Sequence, residues 1–272
     1  MNPKFYYEEK DGVRLLKCRP LAERGIPHAF ATRVGGVSTG DFAGMNLGFT
    51  RGDDPACVRE NYRRFAEAAG LSGMRFYMNH QVHGVRVRRI EADAPDECGT
   101  LPLEEADALV TDVPGAALCA FYADCVPILL ADAEGKAVAA VHAGWRGTSD
   151  GVVKAAADAL CRDFGCRPEQ LIAAIGPSVS VENYEVGDEV FERFYESFGI
   201  AASVLTPLFG GKTHANLWAA NREWLLRAGL LRENVHTAGI CTVQNTELYF
   251  SHRVMGDRRG VLAAAIALPR RK

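Results

Sequence analysis

Short apolar runs recur along the chain from residue 85 onwards, each bounded by Gly, Pro, Asp or Asn. Runs of aliphatic and β-branched residues that end at turn-forming residues are typical of buried β-strands. We therefore expect strands within the segments 85–90, 107–112, 116–132, 136–143, 171–176, 234–242 and 261–268.

Three other segments carry apolar residues at helical spacing, with polar residues on the opposite face: 149–165, 186–199 and 216–230. Ser149 with Asp150 precedes the first of these helices, and Asn216 precedes the third, as N-capping residues do. Gly165 and Gly199 follow the first two and predict their C-terminal ends.

This order of elements predicts an α+β (α/β layered) fold, in which mixed β-sheets are covered by helices. A Rossmann fold is disfavoured, because no GxGxxG sequence follows a predicted strand. No repeat, low-complexity tract or Pro/Ser-rich linker marks a boundary, so we expect a single domain over residues 1–272.

Composition narrows the function. The chain has 272 residues, of which 48% are hydrophobic. It contains 31 basic and 34 acidic residues, which gives a net charge of -3. This balance argues against nucleic acid as the main partner. No membrane-spanning run or signal peptide is evident, and the eight cysteines form no CxxC pair. We expect a soluble, cytoplasmic protein with reduced thiols and no membrane partner.

Metal-ligating side chains occur in three segments, at residues 79–84, 123–127 and 141–147. A turn at residues 133–136 would pair the strand that follows Cys125 with the strand that reaches His142. With the turn centred near residue 134, the numbers of paired residues sum to about 267 or 268. This register sets Cys125 opposite His142 within about one position.

A thiolate beside an imidazole permits two chemistries, a nucleophilic Cys–His pair or two ligands of a tetrahedral zinc ion. His83 is the best third ligand, and we prefer it to His80 because Gly84 follows it and allows close backbone approach. Three protein ligands leave one coordination position open, as in catalytic zinc sites. A structural site would need a fourth ligand, for which Cys241 is the one residue that could serve.

Several motifs resemble those of the YfiH-like family, also called the laccase-domain or multicopper polyphenol oxidoreductase family. They run from about Thr32 to the C-terminus and are NHQVHG, DALVTD, ADCVPILL, VAAVHAGWRGT, AAIGPSVSVENYEVGDEV and YFSHR. The resemblance implies an α/β/β/α fold and zinc ligation by His83, Cys125 and His142. It further implies purine nucleoside phosphorolysis, cleavage of methylthioadenosine and deamination of adenosine.

An anion site and a purine site are both needed for phosphorolysis. Arg146 follows His142 in a Gly-Trp-Arg-Gly turn and is the first choice for phosphate, because a guanidinium grips oxyanions bidentately. Arg33, in a second glycine-rich loop, could complete the anion site. Asn46 offers a donor and an acceptor to a purine edge or a ribose hydroxyl, although it could equally be a turn residue.

Three further residues are expected at the site. Gln81 and Asp124 neighbour the proposed ligands and could orient the substrate or carry protons, with Asp124 the proton carrier of any deamination. His252 lies in the segment that matches the family's SHR motif. The loop at residues 254–260 departs from the family pattern, so its role stays undefined.

The sequence therefore predicts a zinc-dependent purine nucleoside phosphorylase with adenosine deaminase side activity, acting on a nucleoside and phosphate. One alternative is a Cys–His amide or ester hydrolase that edits peptidoglycan precursors. A copper-dependent polyphenol oxidase is a weaker alternative, because seven histidines cannot supply the many ligands of a multicopper cluster.

Overall fold

Two six-stranded mixed sheets form the centre of the computed structural model, which describes residues 2–199, 203–207 and 213–269. Across the first sheet the strands are β1 (Phe5–Lys10), β2 (Val13–Cys18), β3 (His28–Ala31), β15 (Leu262–Ala267), β7 (Ala116–Tyr122) and β4 (Arg75–Tyr77). Across the second they are β14 (Val235–Thr237), β10 (Leu171–Ile175), β8 (Val126–Asp132), β9 (Val138–Ala143), β6 (Ala108–Thr111) and β5 (Val87–Arg89).

A third, small sheet and the helices complete the described part of the chain. The sheet consists of β11 (Glu185–Val186), β13 (Thr213–Ala215) and β12 (Leu205–Pro207). The α-helices are α1 (Arg19–Ala22), α2 (Pro55–Ala69), α3 (Trp145–Ser149), α4 (Val152–Phe164), α5 (Asp188–Phe198), α6 (Leu217–Arg227) and α7 (His252–Met255). None of these described helices combines the length and the apolar character that crossing a membrane requires.

The two large sheets pack face to face, and helices cover their outer faces. Strand β8 is apolar throughout because both of its faces are buried. Leu129 and Ala131 pack in the core between the two sheets, whereas Ile128 and Leu130 pack in the core beneath α4 and α6. Helix α2 packs on the other side of the first sheet. The layers are thus helix, sheet, sheet and helix, which confirms the predicted fold class.

Strands and helices from residue 85 onwards lie largely where the sequence predicts them, with two corrections. The apolar run 116–132 is two strands, β7 and β8, separated by Ala123–Cys125. Helix α4 begins after Gly151, whose φ of 82° is left-handed, because Ser149 is the last residue of α3. Asn216 caps α6 as predicted, since its side chain accepts a hydrogen bond from the Ala219 N–H.

Candidate metal centre

The β8–β9 hairpin brings Cys125 and His142 together, in a register slightly different from the predicted one. Pro127 pairs with His142, so paired residues sum to 269, and Cys125 lies immediately before β8 and diagonal to His142. The offset arises because the turn is centred between Glu134 and Gly135. There, the Asp132 carboxylate accepts the Glu134 N–H at 2.9 Å.

His83, Cys125 and His142 form one compact group. Each offers one ligand atom, and these atoms all lie within 4.8 Å of one another. The Cys125 Sγ is 3.7 Å from the His83 Nε2, and the two imidazole rings stand nearly perpendicular, at 88°. In the described residues no fourth His, Cys, Asp or Glu joins the group; Cys241 instead accepts the Ser180 N–H at 3.3 Å. The group can therefore hold a metal ion with a position left for another ligand.

Asp107 holds this group in place, and the sequence did not single it out. Its Oδ1 accepts a hydrogen bond from the His142 Nδ1 at 2.8 Å and another from the His83 N–H at 3.0 Å, while its Oδ2 accepts the Gly84 N–H at 2.7 Å. Because a carboxylate only accepts, the His142 Nδ1 carries the proton and its Nε2 is free to bind a metal. The position of Asp107 at the start of the DALVTD strand was the available signal.

The backbone around His83 and Gly144 is shaped for close approach. His83 adopts a left-handed φ of 62°, which the hydrogen bonds of Asp107 to successive N–H groups support. A Cβ atom on Gly144 would lie 2.4 Å from the His83 Cδ2 and 3.4 Å from the Cys125 Sγ. Only glycine at this position therefore leaves room for the His83 ring.

The charges within the group favour a thiolate. Burial raises the pKa of Cys125. His142 and His83 have a larger opposite effect through their charges and hydrogen bonds, and they lower the pKa of Cys125 to about 6. Burial likewise lowers the pKa of His142, whereas Cys125 and Asp107 raise it to about 9. A deprotonated thiol is the form that binds a metal ion.

The group opens onto a cavity of about 810 Å³, within the usual range of small-molecule sites. Its walls are formed by aromatic, aliphatic and charged side chains from both large sheets and the loops between them. They include Phe49, Arg51, Met78, His80, Gln81, Leu101, Leu103, Glu105, Phe121, Tyr122 and Arg259.

Gln81 is the one predicted substrate-binding residue that lines this cavity. Its side-chain amide pairs with the backbone of Phe121: the Oε1 accepts the Phe121 N–H at 2.7 Å, and the Nε2 donates to the Phe121 carbonyl at 3.0 Å. Gln81 therefore ties the loop of His83 to strand β7.

Asp124 does not line the cavity, contrary to what a proton carrier requires. Its carboxylate accepts hydrogen bonds from the Thr242 hydroxyl at 2.6 Å, the Ser251 hydroxyl at 3.0 Å and the Arg253 N–H at 2.7 Å. The residue itself has a left-handed φ of 88°. These contacts give Asp124 the position of a buried anchor for the turn that presents Cys125.

Arg33 and Asn46 likewise lie outside the cavity and bind neighbouring loops. The Arg33 guanidinium donates to the Ala43 carbonyl at 2.9 and 3.1 Å. Asn46 is fully buried, and its Oδ1 accepts the Gly48 N–H at 3.1 Å and the Val261 N–H at 3.0 Å. Asn46 thus joins two loops whose residues line the cavity.

Arg146 and His252 are surface residues that the structure does not bring to the cavity. The Arg146 side chain is 55% exposed and pairs with Glu189 at 3.1 Å. The His252 side chain is 53% exposed, with its Nδ1 3.7 Å from a carboxylate oxygen of Asp257. The arginines at the cavity are instead Arg51 and Arg259, which no predicted motif indicated.

Comparison with known proteins confirms the resemblance seen in the motifs. Residues 27–269 match the family model described as multi-copper polyphenol oxidoreductase laccase. A purine nucleoside phosphorylase of Deinococcus radiodurans is 40% identical over 261 residues, which cover 96% of this chain and 95% of that protein.

Two further relatives have similar coverage. Adenosine deaminase RL5, from an unknown prokaryotic organism, is 35% identical over 241 residues that cover 85% of this chain and 90% of that protein. The crystal structure of YlmD from Geobacillus stearothermophilus matches with a TM-score of 0.87 at 29% identity, covering 97% of this chain and 99% of that one.

Proposed function

This chain belongs to the multi-copper polyphenol oxidoreductase laccase family, and we propose that it is a zinc-dependent purine nucleoside phosphorylase with adenosine deaminase side activity. The proposal rests on the convergence of His83, Cys125 and His142 on a cavity that is large enough for a nucleoside and phosphate together. The phosphorylase of Deinococcus radiodurans and adenosine deaminase RL5 are similar over most of the chain and support both activities. Methylthioadenosine is a further proposed substrate.

Zinc fits the side chains that are present. Two imidazoles and one thiolate are ligands of the hardness that zinc prefers, and three protein ligands are the number found in catalytic zinc sites. When bound, zinc would supply Lewis-acid polarisation of a substrate atom placed beside it. Asp107 fixes the tautomer and the ring orientation of His142, so the ligand geometry is set before the metal arrives.

The walls of the cavity suit a nucleoside. Phe49 and Phe121 present aromatic surface against which a purine ring can stack. The Phe49 ring is itself stacked on Tyr62, with centroids 5.5 Å apart and planes inclined by 9°, so its orientation is fixed. His80 and Glu105 line the same cavity and offer polar groups to the base or the ribose.

A hydrolase is the second candidate function, because Asp107, His142 and Cys125 are connected as a carboxylate, an imidazole and a thiol. This order of groups can activate a thiol nucleophile without any metal. The position of His83 favours the metal-dependent function, because a thiol nucleophile activated by His142 does not need a second imidazole beside the Cys125 Sγ.

Metal dependence and phosphate dependence together separate the two functions. We expect the purified protein to carry about one zinc ion per chain and to release hypoxanthine from inosine only when phosphate is added. Chelation should abolish this activity and zinc should restore it. Activity that survives chelation and needs no phosphate would support the hydrolase instead.

We also propose that the enzyme acts in the cytoplasm on small molecules. All eight cysteines lie within the described residues, and all are free thiols. Free thiols in this number are typical of proteins from reducing compartments.

A further inference from the structure

Arg259 is an unusual residue within the cavity wall, because it is a buried cation that lacks a partner. Only 7% of its surface is exposed, yet its Nε has no hydrogen-bond acceptor among the described residues. The one hydrogen bond that its side chain makes to the described residues runs from Nη1 to the carbonyl of the next residue, Gly260, at 3.2 Å. A buried guanidinium is normally paired with a carboxylate or another anion.

The carboxylates near Arg259 are engaged elsewhere. Asp124 is bound by the Thr242 and Ser251 hydroxyls, and Asp257, whose side chain is 94% exposed, lies beside His252. Residues 2–199, 203–207 and 213–269 supply no ion pair to Arg259.

A second cation adds to the positive charge at this place. Arg51 lines the same cavity and is exposed at its rim, and the described residues supply no carboxylate within ion-pair distance of it. Burial lowers the pKa of Arg259 and the charge of Arg51 lowers it further, and together these outweigh the opposite effect of Asp124, Cys125 and Asp257, none of which forms an ion pair with it. An anion between them would relieve both costs.

The loops that carry the two arginines are joined by Asn46. Its Oδ1 accepts hydrogen bonds from the N–H groups of Gly48 and Val261, three residues before Arg51 and two after Arg259. A Cβ atom on Gly260 would lie 2.5 Å from the Phe250 ring, so the backbone beside Arg259 is pressed against the core. The two guanidinium groups are therefore presented by fixed loops, a requirement for a preformed binding site.

We propose that Arg259 and Arg51 form the subsite for inorganic phosphate, the co-substrate of the proposed phosphorylase. The inference rests on that proposed function, and it replaces Arg146 by a pair that lines the same cavity as Cys125 and His142. In the reaction a phosphate oxygen forms a bond to C1′ of the ribose as the C1′–N9 bond breaks. The electron pair of that bond leaves with the purine, and the proton of hydrogen phosphate passes to the base, so that atoms and charge balance.

The subsite is tested by kinetics of Arg259→Gln and Arg51→Gln, with Arg258→Gln as the matched control. Arg258 is the adjacent arginine, is exposed and does not line the cavity. We expect each subsite variant to raise the KM for phosphate by about 10- to 100-fold, the usual effect of losing a hydrogen bond to a charged group. The KM for inosine should change little, and the control should behave as the wild type. Circular dichroism and zinc content establish that each variant is folded and loaded.

Direct titration of the zinc-loaded protein with inorganic phosphate separates this inference from the proposed function. Phosphate binding that weakens in Arg259→Gln and Arg51→Gln supports the subsite even if no phosphorolysis is found. Phosphorolysis with an unchanged phosphate KM in both variants overturns the subsite and leaves the proposed function intact. If Arg259→Gln does not fold, Arg259→Lys and Arg51→Gln decide the question by the same measurements.

The same two arginines could instead bind a phosphoryl group that is part of the substrate, as in a nucleotide. Inosine 5′-monophosphate in phosphate-free buffer tests this source against inosine. Tighter binding of the nucleotide that disappears in Arg259→Gln, together with no binding of inorganic phosphate, would overturn the assignment to a free co-substrate.

Discussion

Asp107 shows, at the scale of single residues, how the protein prepares a metal site. Its buried carboxylate binds the His142 ring and the backbone of His83 at once, so one side chain orients two of the three proposed ligands. Loss of such a partner of a metal ligand commonly weakens metal binding by about 10- to 100-fold.

Replacement of Asp107 by asparagine tests this role. The amide keeps the size of the side chain but has a single acceptor oxygen, so it cannot accept hydrogen bonds both from His142 and the His83 N–H, which bind Oδ1, and from the Gly84 N–H, which binds Oδ2. We expect zinc affinity to fall by about 10- to 100-fold, as measured by competition with a chromogenic chelator. The exposed Asp112, in the same segment, provides the control Asp112→Asn, and equal affinity in both variants would remove the role.

Gly144 is a second residue on which the site depends. In Gly144→Ala the new methyl group would stand 2.4 Å from the His83 ring, which must then move away from Cys125. We expect about tenfold weaker zinc binding or more with little change in the helix and strand content. At Gly187 a Cβ meets nothing within 4 Å, so Gly187→Ala should bind zinc like the wild type; a Gly144→Ala protein with wild-type affinity would contradict the account.

At the scale of elements, the sequence predicts what depends on local pattern and misses what depends on tertiary contact. The β8–β9 hairpin follows from apolar runs around a turn, whereas its register depends on how the Asp132 side chain shapes that turn. Arg259 is buried in a loop that Asn46, 213 positions earlier, binds through the Val261 N–H, and no local pattern reveals this contact. The glycine-flanked turn after His142 predicts Arg146 as a phosphate ligand, but the pattern does not reveal that its side chain lies on the surface.

Helix α2 lies outside the three predicted helices, although the sequence contains its start and end signals. Asp54 accepts the Ala56 N–H at 2.8 Å as an N-cap, Pro55 occupies the first turn, and Gly70 ends the helix with a φ of 77°. We expect Asp54→Ala to lower the free energy of unfolding by about 1 kcal/mol, as measured by urea denaturation. Asp93→Ala, at an exposed position outside any helix, is the control, and an equal effect there would show that the cap is not responsible.

At the scale of the whole molecule, the site and the packing of the two sheets belong together. The cavity takes Tyr122 from the first sheet and His142 from the second. Correct ligand geometry therefore requires that the sheets be packed, and a ligand that binds only the folded protein will stabilise it.

Acid should destabilise the packed sheets through His28. This ring is buried in β3, where its Nε2 accepts the Cys18 N–H and its Nδ1 donates to the Ile26 carbonyl. Burial lowers its pKa from 6.5 to about 4. Between pH 6.5 and about pH 4, His28 is protonated in the unfolded chain but stays neutral in the folded protein. The free energy of unfolding therefore falls as pH falls from about 6.5 to about 4.

The loss should reach roughly 3 kcal/mol and can be measured by urea unfolding of the metal-free protein at several pH values. A His28→Gln variant should show a smaller decline over this interval. His252→Gln, at an exposed histidine, should keep the wild-type decline, and equal slopes in all three proteins would contradict the assignment to His28.

X-ray absorption at the zinc edge of the purified, zinc-loaded protein tests the central claim most directly. The account predicts a shell with one sulfur at about 2.3 Å, two imidazole nitrogens at about 2.0 Å and one further light atom from solvent or substrate. The sulfur contribution should vanish in Cys125→Ser. A shell without sulfur, or one closed by four protein ligands, would contradict a catalytic zinc ion held by His83, Cys125 and His142.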